Sequence, residues 1–295
     1  MPNRTRATSP WLVLAVLCAA VVLINLSTTI MNTALPTLVR DLDASTRELL
    51  WIVDAFNLAF AALVLAAGSL SDRFGRRRAL VLGLAIFAVA SAAGAWSGSP
   101  GALVAWRAVM GVGAAIIFPT TLSIIANVFP ERRRRATAIG LWGASTGVAV
   151  ALGPIAGGAL LERFWWGAAQ LATAPVAVAT LVLALLLVPE SRDPAAPRLD
   201  RPGLMLSALA LGAFVFGIIE APERGWLSTA TLAVLGLAAL LVGLFVAWER
   251  RVDQPMLDVR LFANPRFSAA SASVTLAFFA LFGFIFLITL YFQFL

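Results

Sequence analysis

The 295-residue sequence contains no histidine and no lysine, because all 22 of its basic residues are arginine. Without histidine it can form no Ser-His-Asp triad, no HExxH zinc site and no imidazole proton shuttle. Without lysine it can form no Schiff base and no Walker-type phosphate site. Cys18 is the single cysteine, so the chain cannot form an internal disulfide. We therefore expect that the protein is not an enzyme and holds no metal.

Charged residues are also scarce. Asp, Glu, Lys and Arg make up 13% of the chain, about half their share in an average soluble domain. Hydrophobic residues make up 61%, and the mean hydropathy is +0.92. So few charges cannot cover the surface of a soluble protein of this length. The composition excludes a soluble enzyme, a disordered chain and a disulfide-rich secreted module, and it predicts a membrane protein.

Nine apolar runs predict an all-α, polytopic membrane helical bundle, since a bilayer span needs about 20 apolar residues. The first run follows Arg4 and Arg6 as a signal peptide would, but it continues to Leu35. That is too long for a signal peptide, so we expect a retained span. Ser45 and Glu48 have the spacing of a capping box that opens the second run. The runs are Trp11–Leu35, Leu49–Leu70, Ala79–Trp96, Ala102–Val128, Ala136–Leu161, Trp166–Val188, Gly203–Ile219, Thr229–Trp248 and Phe267–Leu295.

The placement of the arginines predicts the orientation of these spans. With a cytoplasmic amino terminus, four arginines (Arg40, Arg47, Arg163 and Arg224) lie outside, Arg107 lies within a span and seventeen lie in cytoplasmic segments. This imbalance follows the positive-inside rule, and we expect a multi-pass protein of a bacterial-type plasma (inner) membrane. Arg132–Arg135 also resembles a nucleic-acid-binding patch. We expect it to anchor the topology instead and predict no nucleic-acid partner.

The segment between the second and third runs carries the most specific pattern. Gly68–Leu80 fits G-x-L-x-D-R-x-G-R-R-x-x-L. Its glycines permit a tight reversal and close helix approach, and its aspartate can pair with a nearby arginine. The pattern resembles the loop motif of the major facilitator superfamily. This resemblance implies a conformational latch formed by Gly68, Asp72, Arg73, Gly75, Arg76 and Arg77.

Two further segments resemble motifs of that superfamily. Arg107–Gly113 in the fourth run fits its intramembrane R-x-x-x-G-x-G pattern, with Met110 where the family often carries glutamine. An arginine inside a span usually serves an ion path or a buried partner, although one near a helix end can also extend to the membrane surface. Glycines in the fifth run suit close helix packing. That run resembles the antiporter motif of exporters at Gly153, Pro154, Gly157 and Gly158.

Asp54 lies about two turns into the second run. A carboxylate there can exchange a proton for a cationic substrate; the alternative is a water-exposed aspartate at the external entrance. The segment Leu50–Phe56 resembles the start of span two in the fourteen-span drug:proton antiporter branch of the superfamily. Ser27 stands where the first-span motif of that branch usually has aspartate, which leaves the coupling scheme open. We expect Asp54 and Arg107 to couple protons to substrate.

The resemblance to the fourteen-span branch covers essentially the whole chain. It implies an N-terminal six-span bundle over residues 1–190, two extra linker spans over residues 191–250, and the incomplete start of a C-terminal bundle over residues 251–295. Transporters of this kind work by rocking two halves about a central site. Since the sequence supplies only one complete half, we expect a fragment or a truncated gene product.

The resemblance implies that the full-length parent protein exports amphipathic or cationic small molecules by drug:proton antiport. Its partners are then the lipid bilayer, a small-molecule substrate and protons. We expect no cofactor, with the proton gradient as the energy source. Two alternatives stay open: a dedicated exporter of a single metabolite or antibiotic, and a truncated membrane protein that transports nothing.

Overall fold

A computed structural model of the protein describes residues 9–193 and 200–294, and in these residues all regular structure is helical. A short 3₁₀ helix, Val259–Ala263, precedes the last of ten α-helices. The α-helices are α1 (Pro10–Leu42), α2 (Thr46–Phe74), α3 (Arg76–Ala95), α4 (Pro100–Val128), α5 (Arg132–Leu161), α6 (Trp166–Leu171), α7 (Thr173–Leu187), α8 (Arg201–Arg224), α9 (Thr229–Glu249) and α10 (Pro265–Phe294). The all-α membrane bundle predicted from the sequence is confirmed.

Eight helical segments of the described chain, with α6 and α7 taken together, are long and apolar enough to cross a membrane. They coincide with the first eight predicted runs. The ninth run, Phe267–Leu295, coincides with α10 over its described residues. Most of the helices extend past the predicted runs, because their polar end turns continue the same hydrogen-bond ladder. The protein is a multi-pass membrane protein.

Side-chain caps fix where several helices begin. Ser45 Oγ accepts the backbone N–H of Glu48 at 3.3 Å, while the Glu48 carboxylate accepts the Ser45 N–H at 2.9 Å. The capping box predicted for the second run is therefore present. Ser99 and Ser228 cap α4 and α9 more simply, since each side chain accepts one backbone N–H, from Ala102 and Thr231 respectively. Each cap satisfies a backbone donor that the first helical turn leaves open.

The sixth predicted run is divided into α6 and α7 at Ala172. The sequence shows a cause in Pro175, which has no N–H for the ladder and whose ring clashes with the carbonyl four residues earlier. A side chain of α3 secures the division: the Ser91 hydroxyl lies 2.6 Å from the Gln170 carbonyl and 2.7 Å from the Thr173 hydroxyl. The sixth predicted run is therefore confirmed as one span, with a turn at Ala172 that the sequence analysis does not predict.

The core lies where α1, α3, α4 and α7 meet, around residues such as Leu17, Phe87 and Met110. The backbones of α3 and α4 touch at two glycines. A Cβ on Gly83 would lie 2.9 Å from the Gly113 carbonyl oxygen, and one on Gly113 would lie 2.8 Å from the Gly83 oxygen. Both positions therefore require glycine. This contact brings the interior of α4 against α3.

The antiparallel helices α8 and α9 pack together, and α8 lies against α2. Trp51 of α2 and Phe216 of α8 have ring centroids 6.1 Å apart. Near the same end of α8, the buried Glu220 carboxylate forms ion pairs with Arg47 of α2 and with Arg224. The hairpin of α8 and α9 is thus attached to the first six spans through one helix face and one ionic cluster.

Candidate functional site

Arg107 is the largest fully buried side chain among the described residues, with 0% of its surface exposed. It lies in α4, two turns after the helix begins at Pro100. Its guanidinium donates from Nε to the Ile52 carbonyl at 3.0 Å and from Nη1 to the Ser27 hydroxyl at 3.1 Å. The side chain therefore lies inside the bundle and does not extend to a membrane surface.

A close approach of α2 to α4 makes this burial possible. Gly111, one turn after Arg107, lies directly against the Phe56 carbonyl oxygen, where a side chain would collide with the α2 backbone. The Phe56 ring in turn lies 4.6 Å from Cζ of Arg107. A cation over an aromatic face is stabilised by the ring quadrupole, and more so away from water. The glycine thus allows the ring and the guanidinium to meet.

The guanidinium has no carboxylate partner among the ion pairs of the described residues. Ser27, in the position where the family resemblance leads one to expect aspartate, offers only a neutral hydroxyl. The second terminal nitrogen, Nη2, is buried without a hydrogen-bond acceptor. An unpartnered buried donor is costly, and a charged one more so. The site therefore presents an unneutralised positive charge with one open donor.

Asp54 does not contact Arg107. It lies half-buried on α2, two residues after Ile52, and its side chain is hydrogen-bonded by Asn57. Residues two apart on a helix point to different faces. Ile52 faces α4 and Asp54 faces away from it. The structure therefore brings Ser27, Ile52 and Phe56 to Arg107, and it leaves Asp54 as a separate carboxylate.

The loop motif lies between α2 and α3, and it bends at Gly75. Gly75 has a φ of 120°, a conformation that favours glycine. Asp72 Oδ1 accepts the Arg76 Nε–H at 2.6 Å, which links the last turn of α2 to the first of α3. Gly68, one turn before Asp72, packs against Pro119 of α4. Arg73 is exposed and lies over the Phe74 ring.

The segment after α7 holds this loop, which the sequence analysis did not find. The backbone N–H of Arg76 donates to the Ser191 carbonyl, and the N–H of Asp193 donates to the Asp72 carbonyl, both at 2.8 Å. Glu190 accepts the Arg77 N–H at 3.1 Å. It also lies 3.9 and 3.7 Å from Nε of Arg77 and Arg78. The sequence did carry one signal for this contact. Glu190 is a lone glutamate next to the end of a span, on the same predicted side of the membrane as three arginines.

The glycines of the fifth run divide into two sets. Gly153 and Gly157 are buried and face α1, at Thr29 and Thr33 respectively. Gly158 has no atom within 4 Å of the position of an added Cβ, and Pro154 is exposed on the outer face. Of these residues, only Gly153 and Gly157 determine how closely α5 approaches α1. The described residues contain no group of three or more Asp, Glu or Cys side chains placed to hold a metal ion.

Comparison with known proteins supports the family resemblance. The Major Facilitator Superfamily matches residues 17–295. The multidrug efflux pump LfrA of Mycolicibacterium smegmatis is 42% identical over 293 residues, which are 99% of this chain and 58% of LfrA. The multidrug resistance protein Stp of Mycobacterium tuberculosis is 35% identical over 92% of this chain and 50% of its own length. The methylenomycin A resistance protein of Bacillus subtilis is 37% identical over 95% of this chain and 60% of its own.

The chain thus spans between half and three-fifths of the length of these curated relatives. Among solved structures, a peptide transporter POT in complex with sulfate matches with a TM-score of 0.61. It is 17% identical, and the match covers 82% of this chain and 53% of that structure. At this identity the likeness concerns the fold alone.

Proposed function

This chain belongs to the major facilitator superfamily, and from that premise we propose that the complete protein carrying it exports amphipathic, often cationic small molecules in exchange for protons. The relatives named multidrug efflux pump and multidrug resistance protein support export of more than one drug. The absence of histidine and lysine limits the titratable side chains inside the spans to carboxylates and a few others. The proton gradient is then the energy source, and no cofactor takes part.

The observation that carries the proposal is the unneutralised guanidinium of Arg107. Charged residues within spans are rare and costly, and in transporters they commonly mark a substrate or proton path. Arg107 joins α4 to α1 through Ser27 and to α2 through Ile52, so any relative motion of these helices changes its hydrogen bonds. We assign it the role of a fixed positive charge that repels cations from the interior of the bundle and offers Nη2 to a negatively charged group.

Asp54 is the proposed exchange site for the proton and the cationic substrate. It is half-buried on α2, and Asn57 is the neighbour that hydrogen-bonds its side chain. A carboxylate that has no permanent cationic partner can bind either a proton or a substrate cation. Binding of one weakens binding of the other. Because Arg107 is oriented away from it, release of one cation does not require that Arg107 move. The exchange then takes place on the side of α2 that faces away from α4.

The loop motif with Glu190 is the proposed conformational latch. It links the ends of α2, α3 and α7 through Asp72–Arg76 and through the contacts of Glu190 with Arg77. Backbone contacts of Ser191 and Asp193 strengthen the same connection. Rocking of the bundle about a central site requires these ends to keep or exchange their partners together. The latch therefore connects the exposed loop to α2, the helix that carries Asp54.

The arginine distribution supports a cytoplasmic amino terminus in a bacterial plasma membrane. In that orientation Asp54 lies toward the outer surface and the latch lies on the cytoplasmic side. A substrate would then be released outward while a proton enters by the same carboxylate. In this proposal, two linker spans occupy residues 191–250 and a second bundle begins within residues 251–295.

Dye efflux from cells that express the complete protein tests the role of Asp54. We expect Asp54→Asn to abolish most of the efflux that a protonophore can inhibit, because asparagine cannot exchange a proton. Asp41→Asn is the matched control, since Asp41 is an exposed aspartate at the same end of the bundle. Undiminished, protonophore-sensitive efflux by Asp54→Asn removes Asp54 from the mechanism. Export of one compound among many unrelated cations would instead identify a dedicated exporter, as the name of the methylenomycin A resistance relative suggests.

A further inference from the structure

A second pair of carboxyl groups lies in the α8–α9 hairpin, remote from the loop motif and from Arg107. Asp200 immediately precedes α8 and Glu249 is the last residue of α9, and the antiparallel packing of the two helices brings them together. Asp200 is 7% exposed and Glu249 is 3% exposed. Both are acidic side chains removed from water, which requires compensation.

Neutral donors already occupy both oxygens of Asp200. Oδ1 accepts the Gly203 N–H at 3.0 Å and so caps the first turn of α8. The Trp248 indole N–H lies 2.9 Å from each carboxylate oxygen. A negative charge at a helix amino terminus is stabilised by the open N–H groups there. Both oxygens of Asp200 are therefore already hydrogen-bonded by N–H donors.

Glu249 is satisfied on one oxygen only. Oε2 accepts the Leu257 N–H at 3.2 Å, whereas Oε1 is buried without any hydrogen-bond partner. Gly203 shows where Oε1 points. A Cβ on Gly203 would lie 2.7 Å from Glu249 Oε1 and would collide with Asp200 Oδ2. The open oxygen of Glu249 and an oxygen of Asp200 thus flank the same glycine.

Among the ion pairs of the described residues, none includes Asp200 or Glu249. The Arg260 guanidinium donates to the Arg250 carbonyl instead, and Arg198 lies outside the described residues. The charged residues of the adjoining segments are exposed: Arg201, Arg250, Arg251, Asp253, Asp258 and Arg260.

We propose that Asp200 and Glu249 bind one proton between them, carried on Glu249 Oε1 and donated toward Asp200. Two carboxylates in one buried site cannot both ionise without a large cost, and a shared proton removes it. The proton also supplies the missing partner of Oε1. A divalent cation fits less well, since calcium takes six to eight oxygen ligands and the oxygens of Asp200 are already bound to N–H groups. The site stands apart from the proposed export function and is tested without any transport assay.

Infrared difference spectroscopy of the full chain in detergent, titrated with pH, tests the proposal. Glu249→Gln keeps an acceptor for the Leu257 N–H and a donor toward Asp200, so it should preserve the fold. We expect the wild type at pH 7 to show the carbonyl stretch of a protonated carboxylic acid, and we expect Glu249→Gln to lose it. Glu223→Gln, which alters an exposed carboxylate at the other end of α8, should keep the band.

Asp200→Asn gives an independent readout that needs no Glu249 variant. Without the neighbouring negative charge, the band should disappear at a lower pH than in the wild type, because a like charge raises the proton affinity of its partner. A wild-type spectrum at pH 7 identical to that of Glu249→Gln would overturn the proposal. So would displacement of the band by added sodium, magnesium or calcium ions with binding that requires Glu249, since the site would then be a cation site.

Discussion

Gly153→Ala in α5 should separate α5 from α1, and the size of its effect can be worked out from the contact itself. A Cβ at position 153 would overlap the Thr29 hydroxyl and Cβ and would lie 3.3 Å from the Thr29 carbonyl carbon. Thr29 cannot easily rotate away, because it is 3% exposed and its hydroxyl donates to the Asn25 carbonyl at 3.0 Å. Its β-branched side chain also has few rotamers in a helix. The added methyl therefore requires a shift of the backbone.

Gly158→Ala is the matched control in the same helix. A Cβ there meets no atom within 4 Å, and neither glycine has a positive φ. Both substitutions gain the same helix propensity, about 1 kcal/mol. Only Gly153→Ala adds overpacking, which costs about 1–3 kcal/mol in a well-packed interior. The difference between the two variants is thus the packing cost alone.

Thermal unfolding of wild type and both variants in one detergent measures this difference. We expect Gly158→Ala to be at least as stable as the wild type and Gly153→Ala to be less stable than Gly158→Ala by about 1–3 kcal/mol. Equal midpoints for the two variants would refute the α1–α5 contact described above. A destabilised Gly158→Ala would show instead that its face of α5 is covered.

Three further outcomes follow from single contacts. Arg107→Lys should abolish efflux by the complete protein while expression persists, because an ammonium cannot reproduce the directed contacts of the guanidinium with Ser27 and Ile52; efflux at the wild-type rate would contradict this. Glu190→Gln should lower the free energy of unfolding by less than about 1 kcal/mol, since its arginine partners are partly exposed. It should nevertheless slow efflux by the complete protein. An unchanged efflux rate would exclude the latch role. Glu220→Gln should cost about 1–2 kcal/mol in thermal unfolding through loss of a buried charge paired with half-exposed arginines; an unchanged midpoint would show that the cluster does not attach α8.

Local patterns predicted the spans well and the contacts between them poorly. The apolar runs and the Ser45–Glu48 cap depend on residues close in sequence, and the structure confirms them. The turn at Ala172 inside the sixth span was not predicted, because the run is apolar on average, although Pro175 was a visible signal. It shows that hydropathy alone does not report helix continuity.

The residues that contact the candidate site could not be predicted from the sequence. Arg107 was found from its motif, but its hydroxyl partner Ser27 is 80 positions away. Glu190 meets Arg77 across 113 positions. Such partners are set by how helices pack, and no periodicity along one helix encodes which residue of another it will meet. The separation of Asp54 from Arg107 likewise depends on the rotation of α2 against α4.

Proton movement on addition of substrate tests the central claim most directly. The complete protein would be placed in liposomes that contain a pH-sensitive dye, and a cationic substrate added in the absence of an imposed gradient. We predict that substrate movement drives protons in the opposite direction and that Asp54→Asn removes this proton flux. Substrate transport with no accompanying proton movement, or an equal proton flux in Asp54→Asn, would contradict the account.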